Sequence, residues 1–118
     1  VTVSLNPVDV ENNIRTISDR IAKGVSVCDE RYRGFLTADH QYDLAYASAY
    51  LGATGPQHER KYHAELATAR LRQARDVADA AYRYADRQAK ALEAELRAMQ
   101  SINKSVMGMY GAVGVVER

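Results

Sequence analysis

Tryptophan is absent from this 118-residue chain, phenylalanine and cysteine occur once each, and proline occurs twice. Each scarcity excludes something. The lone thiol, Cys28, cannot form an internal disulfide and is most simply a small apolar residue in a reducing compartment. Between residues 71 and 106 there is neither glycine nor proline to interrupt a helix. No apolar run reaches the roughly 18 residues that a bilayer span requires. The longest, VMGMYGAVGVV at 106–116, contains three glycines. With no leader peptide or spanning segment to read, a soluble, cytoplasmic protein is expected, with no membrane partner.

Large core residues are scarce too. The composition is 47% hydrophobic but only 8% aromatic, and alanine supplies much of the apolar share. At ~25 cal/mol per Å² of buried apolar surface, an alanine-lined seam stabilises far less than a leucine-lined one. A monomer with so thin a core is marginal, and association with other helices is the natural remedy. Net charge is +1, which argues against a purely electrostatic nucleic-acid binder. The charge is uneven, however. The first 54 residues hold five basic and seven acidic side chains, the remainder eleven and eight.

What is present is helical periodicity. In NPVD, Asn6 suits an N-cap, Pro7 the first helical position and Asp9 the positive end of the helix dipole. The series 14, 17, 21, 24, 28, 31, 35, 38, 42, 45 and 49 is apolar at nine of eleven positions, Gly24 and Arg31 being the exceptions. Gly24, with Ser26 and Asp29 beyond it as a restart, predicts one helix over 7–23 and another over 27–52, with a single bent helix as the alternative. GATGPQHER predicts a tight turn at 53–57, where Gly55 takes a left-handed conformation and Pro56 opens the next helix. A long second arm then runs over 57–107. Its core series 71, 74, 78, 81, 85, 88, 92, 95, 99, 102, 106, 109 and 113 is apolar at eleven of thirteen, with Gln88 and Glu95 the misses. Glu95 is explained better by a local drift of the period onto Leu96 than by a polar register lock. A glycine-rich tail, 108–118, is expected to fray or to dock on a neighbour. The fold class is thus all-α: a single domain over 1–118, built as a long antiparallel, coiled-coil-like hairpin with an additional N-terminal helix. It is expected to pack as a helical-bundle oligomer.

The long arm reads differently on its two faces. With Leu92 at heptad position a, the flanking e and g positions are Tyr84, Ala89, Ala91, Leu96 and Ala98, none of them charged. So wide an apolar stripe asks for more than one neighbour. It nominates Tyr84, Ala85, Ala89, Ala91, Leu92, Leu96, Ala98, Met99, Ile102 and Val106 as an oligomer interface. On the opposite face Arg83, Arg87, Lys90, Arg97 and Lys104 form a basic stripe. It is either a solvated back supported by Asp86–Lys90 and Glu93–Arg97 pairs, or a track for phosphates. Tyr42, Tyr46 and Tyr50 recur at four-residue spacing. They read as core-edge residues, or as a stacking platform for bases if exposed beside cations.

Catalytic and metal signatures are missing. In HERKYH the histidines stand five apart, so His58 and His63 lie about 140° from each other around a helix and cannot share a metal locally. GMYGAVG lacks the strand, lysine and helix of a phosphate loop. The carboxylates are spread along helices, and a slender hairpin offers little concavity. No enzyme activity, cofactor, metal or small-molecule substrate is expected.

YASAYLGATG, followed by ER and then by YADRQAKALEAELRAMQSINKSV, resembles a group of short helical proteins encoded by tailed bacteriophages, many infecting actinobacteria. The resemblance spans about residues 40–106. It implies a phage-encoded protein acting in the host cytoplasm, and its early-region setting implies replication or recombination of DNA. Three functions follow as expectations. The first is a non-enzymatic, self-associating structural or interaction protein. The others are a nucleic-acid-binding accessory protein and an inhibitor that docks on a host protein.

Overall fold

The computed structural model describes the backbone of residues 6–116 and the side chains of residues 6–111. Three helices make up the fold: α1 (Pro7–Gly52), α2 (Gln57–Ala67) and α3 (Ala69–Val116). The architecture is all-α, with α1 and α3 as the long antiparallel elements of a helical hairpin. Among the described residues no helix is long and apolar enough to cross a membrane.

The start of α1 follows from its sequence. The Val8 amide donates to Asn6 Oδ1 at 2.8 Å, and the Val10 amide donates to the Asn6 carbonyl at 3.0 Å. Asn6 therefore caps, and Pro7 occupies the first turn at no hydrogen-bonding cost. The predicted break at Gly24 does not occur: α1 is one helix of 46 residues. A glycine costs ~1 kcal/mol against alanine in a helix interior, which is too little to interrupt a helix stabilised on both sides by packing.

The turn forms as the glycine–proline pair predicts. Gly55 has φ +106°, a conformation that strains any residue bearing a Cβ. A Cβ there would also meet Glu59 Oε2 at 2.9 Å. Pro56 is the N-cap of α2 rather than its first residue, and its carbonyl accepts the Arg60 amide at 3.1 Å.

The second arm is interrupted where no break was expected. Between α2 and α3, Thr68 has φ −112° and ψ 12°. Both its amide (3.1 Å) and its hydroxyl (2.7 Å) donate to the Ala64 carbonyl. A threonine bonding back to the carbonyl four residues earlier bends a helix. Here it does so with both residues buried, Ala64 at 0% and Thr68 at 3% exposure. At the far end α3 continues to Val116, so the backbone of the glycine-rich segment stays helical through Gly108 and Gly111.

The chain divides into two compact units, Val27–Asp86 and Val1–Ser26 with Arg87–Arg118. In the first, Tyr32 of α1 meets Tyr82 of α3 with ring centroids 5.0 Å apart, and Asp39 of α1 faces Arg75 of α3 at 3.8 Å. One heptad forward on α1 thus matches one heptad back on α3, the mark of an antiparallel seam. In the second unit, Val10, Ile17 and Val106 are buried at 1%, 4% and 3% exposure. Their helical neighbours Ile14, Ile21, Leu92, Leu96 and Met99 are half-buried.

The seam corrects the predicted register. Along α3 the buried or half-buried residues are 71, 75, 78, 79, 81, 82, 85 and 86 in the first unit, then 89, 92, 96, 99, 102, 103 and 106 in the second. Of the expected core positions, Ala74, Gln88 and Glu95 are exposed and the residue after each is half-buried, whereas Ala81 and Ile102 are half-buried as expected. Gln88 and Glu95 are exposed, while Ala89 and Leu96 are half-buried in their place. On α1 the same substitution happens once: Arg31 is exposed and Tyr32 carries the contact. The drift expected at Leu96 also occurs at Arg75 and Ala89.

Candidate functional site

The register decides what the two faces of α3 can do. Ala89 and Leu96, expected on the flanks, belong to the seam itself. The row following the positions of Leu71, Ala78, Ala85, Leu92 and Met99 is Arg72, Asp79, Asp86, Glu93 and Gln100, which is polar throughout. On the other flank Val77, Tyr84, Ala91 and Ala98 are apolar and exposed, so α3 carries an apolar edge on one side of the seam only. Of the residues nominated as an oligomer interface, Ala85 and Val106 are buried within the chain's own fold. Ala89, Leu92, Leu96, Met99 and Ile102 are half-buried, and Tyr84, Ala91 and Ala98 are exposed.

The basic stripe does lie outward: Arg83, Arg87, Lys90, Arg97 and Lys104 are all exposed. Arg83, in the Val27–Asp86 unit, is held by Asp79, its Nε donating to the two carboxylate oxygens at 3.0 and 3.1 Å. The other four belong to the second unit. There Arg97 and Lys104 make no ion pair among the described residues, so the expected Glu93–Arg97 bridge is not formed.

The densest grouping of aromatic and charged side chains lies elsewhere, within the Val27–Asp86 unit. Tyr42, Tyr46 and Tyr50 stand one turn apart on α1, with successive ring centroids at 6.1 and 6.4 Å. The four-residue spacing stacks them along one face, and all three are half-buried. Two arginines from the other arm cover the ends of this ladder. Arg75 of α3 lies 4.6 Å from the Tyr42 centroid, and Arg60 of α2 lies 5.0 Å from that of Tyr50. Each is a cation over an aromatic face, an arrangement that strengthens as water is excluded.

Arg75 is also an ion-pair junction. Its guanidinium lies 3.8 Å from Asp39 on α1 and 3.2 Å from Asp76 beside it. It occupies a seam position, and its side chain is only 27% exposed. Arg60 is half-buried as well, and its Nε is buried without a hydrogen-bond partner among the described residues. Sequence reading singled out neither arginine. The available signal was spacing, since Arg75 stands four residues after Leu71 and Arg60 four before Ala64.

Between Tyr46 and Tyr50 on α1 and Gln57, His58 and Lys61 on α2 lies an open concavity of about 450 Å³. Lys61 meets Glu65 only at 4.0 Å, and no acidic side chain lines the concavity. On the Leu51 side, a second dent of about 440 Å³ is lined by Tyr46, Ala47, Tyr50 and Leu51 alone. Among the described residues no three His, Cys, Asp or Glu side chains are grouped to hold a metal ion. Cys28 is half-buried and free. The chain matches no protein-family model, no curated protein and no solved structure.

Proposed function

We propose that this chain is a non-enzymatic helical interaction protein that self-associates through apolar side chains near its hairpin turn. The observation that carries this reading is the exposure of Leu51 and Leu66, each 81% accessible. Leu44 and Tyr62 accompany them at 61%. Leu44 and Leu51 stand two turns apart on α1, and Tyr62 and Leu66 one turn apart on α2, so each pair shares a helix face. Burying a leucine stabilises by about 1.5–3 kcal/mol. Against that, only Val10, Ile17, Ala64, Ala85 and Val106 are buried hydrophobic residues among those described. The surface proposed for association therefore centres on the turn-proximal leucines and Tyr62, with Ala91 and Ala98 exposed on α3.

A second reading, phosphate binding by the stripe on α3, is favoured by the exposed and unbridged Arg97 and Lys104. It suits the DNA-directed role that the phage-protein resemblance implies. One experiment separates the two: the mass in solution at micromolar concentration, with and without single-stranded DNA at low salt. Self-association predicts a multiple of 13.1 kDa without DNA. It also predicts a shift toward monomer in a Leu51→Lys/Leu66→Lys variant. A 13.1 kDa species throughout would refute it. The phosphate track predicts a DNA complex that weakens steeply with salt and is lost in Arg97→Gln/Lys104→Gln.

A further inference from the structure

The concavity between α1 and α2 has a composition that neither self-association nor the α3 stripe uses. One wall is aromatic: the Tyr46 and Tyr50 rings lie at 25° to one another, nearly parallel. The other wall is polar and basic, formed by Gln57, His58 and Lys61 on the first turns of α2. Their positions follow from helix geometry. Gln57 and Lys61 are one turn apart, and His58 is adjacent, so the three project toward one side. The whole site lies within the Val27–Asp86 unit.

Each component favours the same kind of guest. Half-exposed tyrosine faces suit a planar, aromatic group, and such stacking is worth ~1–3 kcal/mol per base. Lys61 is a mobile cation whose carboxylate partner stands at the 4.0 Å limit of ion pairing. Arg60, whose guanidinium lies 5.0 Å from the Tyr50 centroid, adds positive charge beside the concavity without lining it. Gln57 and His58 stand in the first turn of α2, whose N-cap Pro56 makes no side-chain capping bond, so the positive end of that helix adds to the charge at this wall. The nearest acid of the first turn, Glu59, does not line the concavity and has its carboxylate near Gly55. A volume of about 450 Å³ is within the range that small ligands occupy.

We propose that this concavity binds a nucleotide unit, with the base against Tyr46 and Tyr50 and the phosphate held by Lys61 and His58. The guest is either a free nucleotide or one residue of a single strand, since both present the same base and phosphate. Gln57 supplies an amide able to donate to or accept from a base edge.

The test is a two-dimensional amide NMR titration of the full chain with three probes: adenosine monophosphate, a short oligothymidylate and inorganic phosphate. Millimolar mononucleotide should shift the amides of Gln57, His58 and Lys61, and inorganic phosphate should bind about tenfold more weakly, for want of the stacked base. Stronger binding by the oligonucleotide at these same amides identifies a single strand as the source, and binding by the mononucleotide alone identifies a free nucleotide. Lys61→Gln, at an exposed position that leaves packing intact, should weaken binding severalfold. Tyr46→Leu should remove the preference for nucleotide over phosphate while helical circular dichroism is kept. An Arg97→Gln/Lys104→Gln chain should titrate like the original, which separates this site from the α3 stripe. Two results overturn the proposal: no shift at these amides with either nucleotide probe, or equal binding of inorganic phosphate and mononucleotide.

Discussion

Leu96→Ala is expected to lower the unfolding free energy by about 2 kcal/mol, and Glu95→Ala to change it by less than ~0.5 kcal/mol. The two residues are neighbours in sequence, and Glu95 is the one that the simplest heptad frame places in the core. In the structure Leu96 is half-buried and Glu95 exposed. Half burial sets the cost of Leu96→Ala at the lower end of the range for large-to-small core changes. Denaturant unfolding followed by helical circular dichroism measures both. Comparable losses at the two positions, or a larger one at Glu95, would show that α3 packs in the other register.

The second large effect is a gain. Gly24 and Gly34 both lie inside α1, and a Cβ built on either meets nothing within 4 Å. Alanine at each should stabilise by about 1 kcal/mol, through the smaller backbone entropy lost on folding. Ten residues of helix separate the sites by about 15 Å, so the effects should add to about 2 kcal/mol. For a domain of this size, thermal unfolding should rise by roughly 8 °C in the double variant. Were Gly24 a required hinge, as its place in the sequence suggests, Gly24→Ala would destabilise instead. Melting curves of the two single variants therefore test the continuity of α1 directly.

These two expectations mark where the sequence was legible and where it was not. Apolar residues at Ile14, Ile17, Ile21, Leu71, Ala78, Ala85, Leu92 and Met99 repeat every seven residues or nearly so, and that was enough to identify the arms. The intervening positions were ambiguous because alanine is common on all faces of α3. Ala74, Ala81 and Ala89 look alike in sequence, yet Ala74 is exposed while Ala81 and Ala89 are half-buried. The misfits held the answer: Arg31, Gln88 and Glu95 each have an apolar or aromatic residue immediately after them, and the seam runs through those. Gly55 was readable because a left-handed turn has few other solutions. Thr68 was not, because threonine is tolerated in helices and its hydroxyl bends one only where burial leaves it the carbonyl as its partner. At the candidate site the tyrosine ladder could be read from spacing. Its arginine caps could not, since Arg60 and Arg75 come from the other arm and only the register brings them opposite.

The division into Val27–Asp86 and a second unit drawn from both chain ends has a consequence for how the molecule comes together. The first unit is a single uninterrupted stretch, and Tyr50 and Arg60 find each other across a short loop. The second must join segments separated by that whole stretch, whose closure as a flexible chain carries a larger entropic penalty. Local closure near Gly55 is therefore expected to come first in refolding, with substitutions in the Val27–Asp86 unit slowing folding and those in the second unit mainly speeding unfolding. Once that closure has formed, the effective separation of the remaining segments is short, and pairing spreads from the turn toward the termini. The turn glycine thus sets a direction of assembly as well as a change of chain direction.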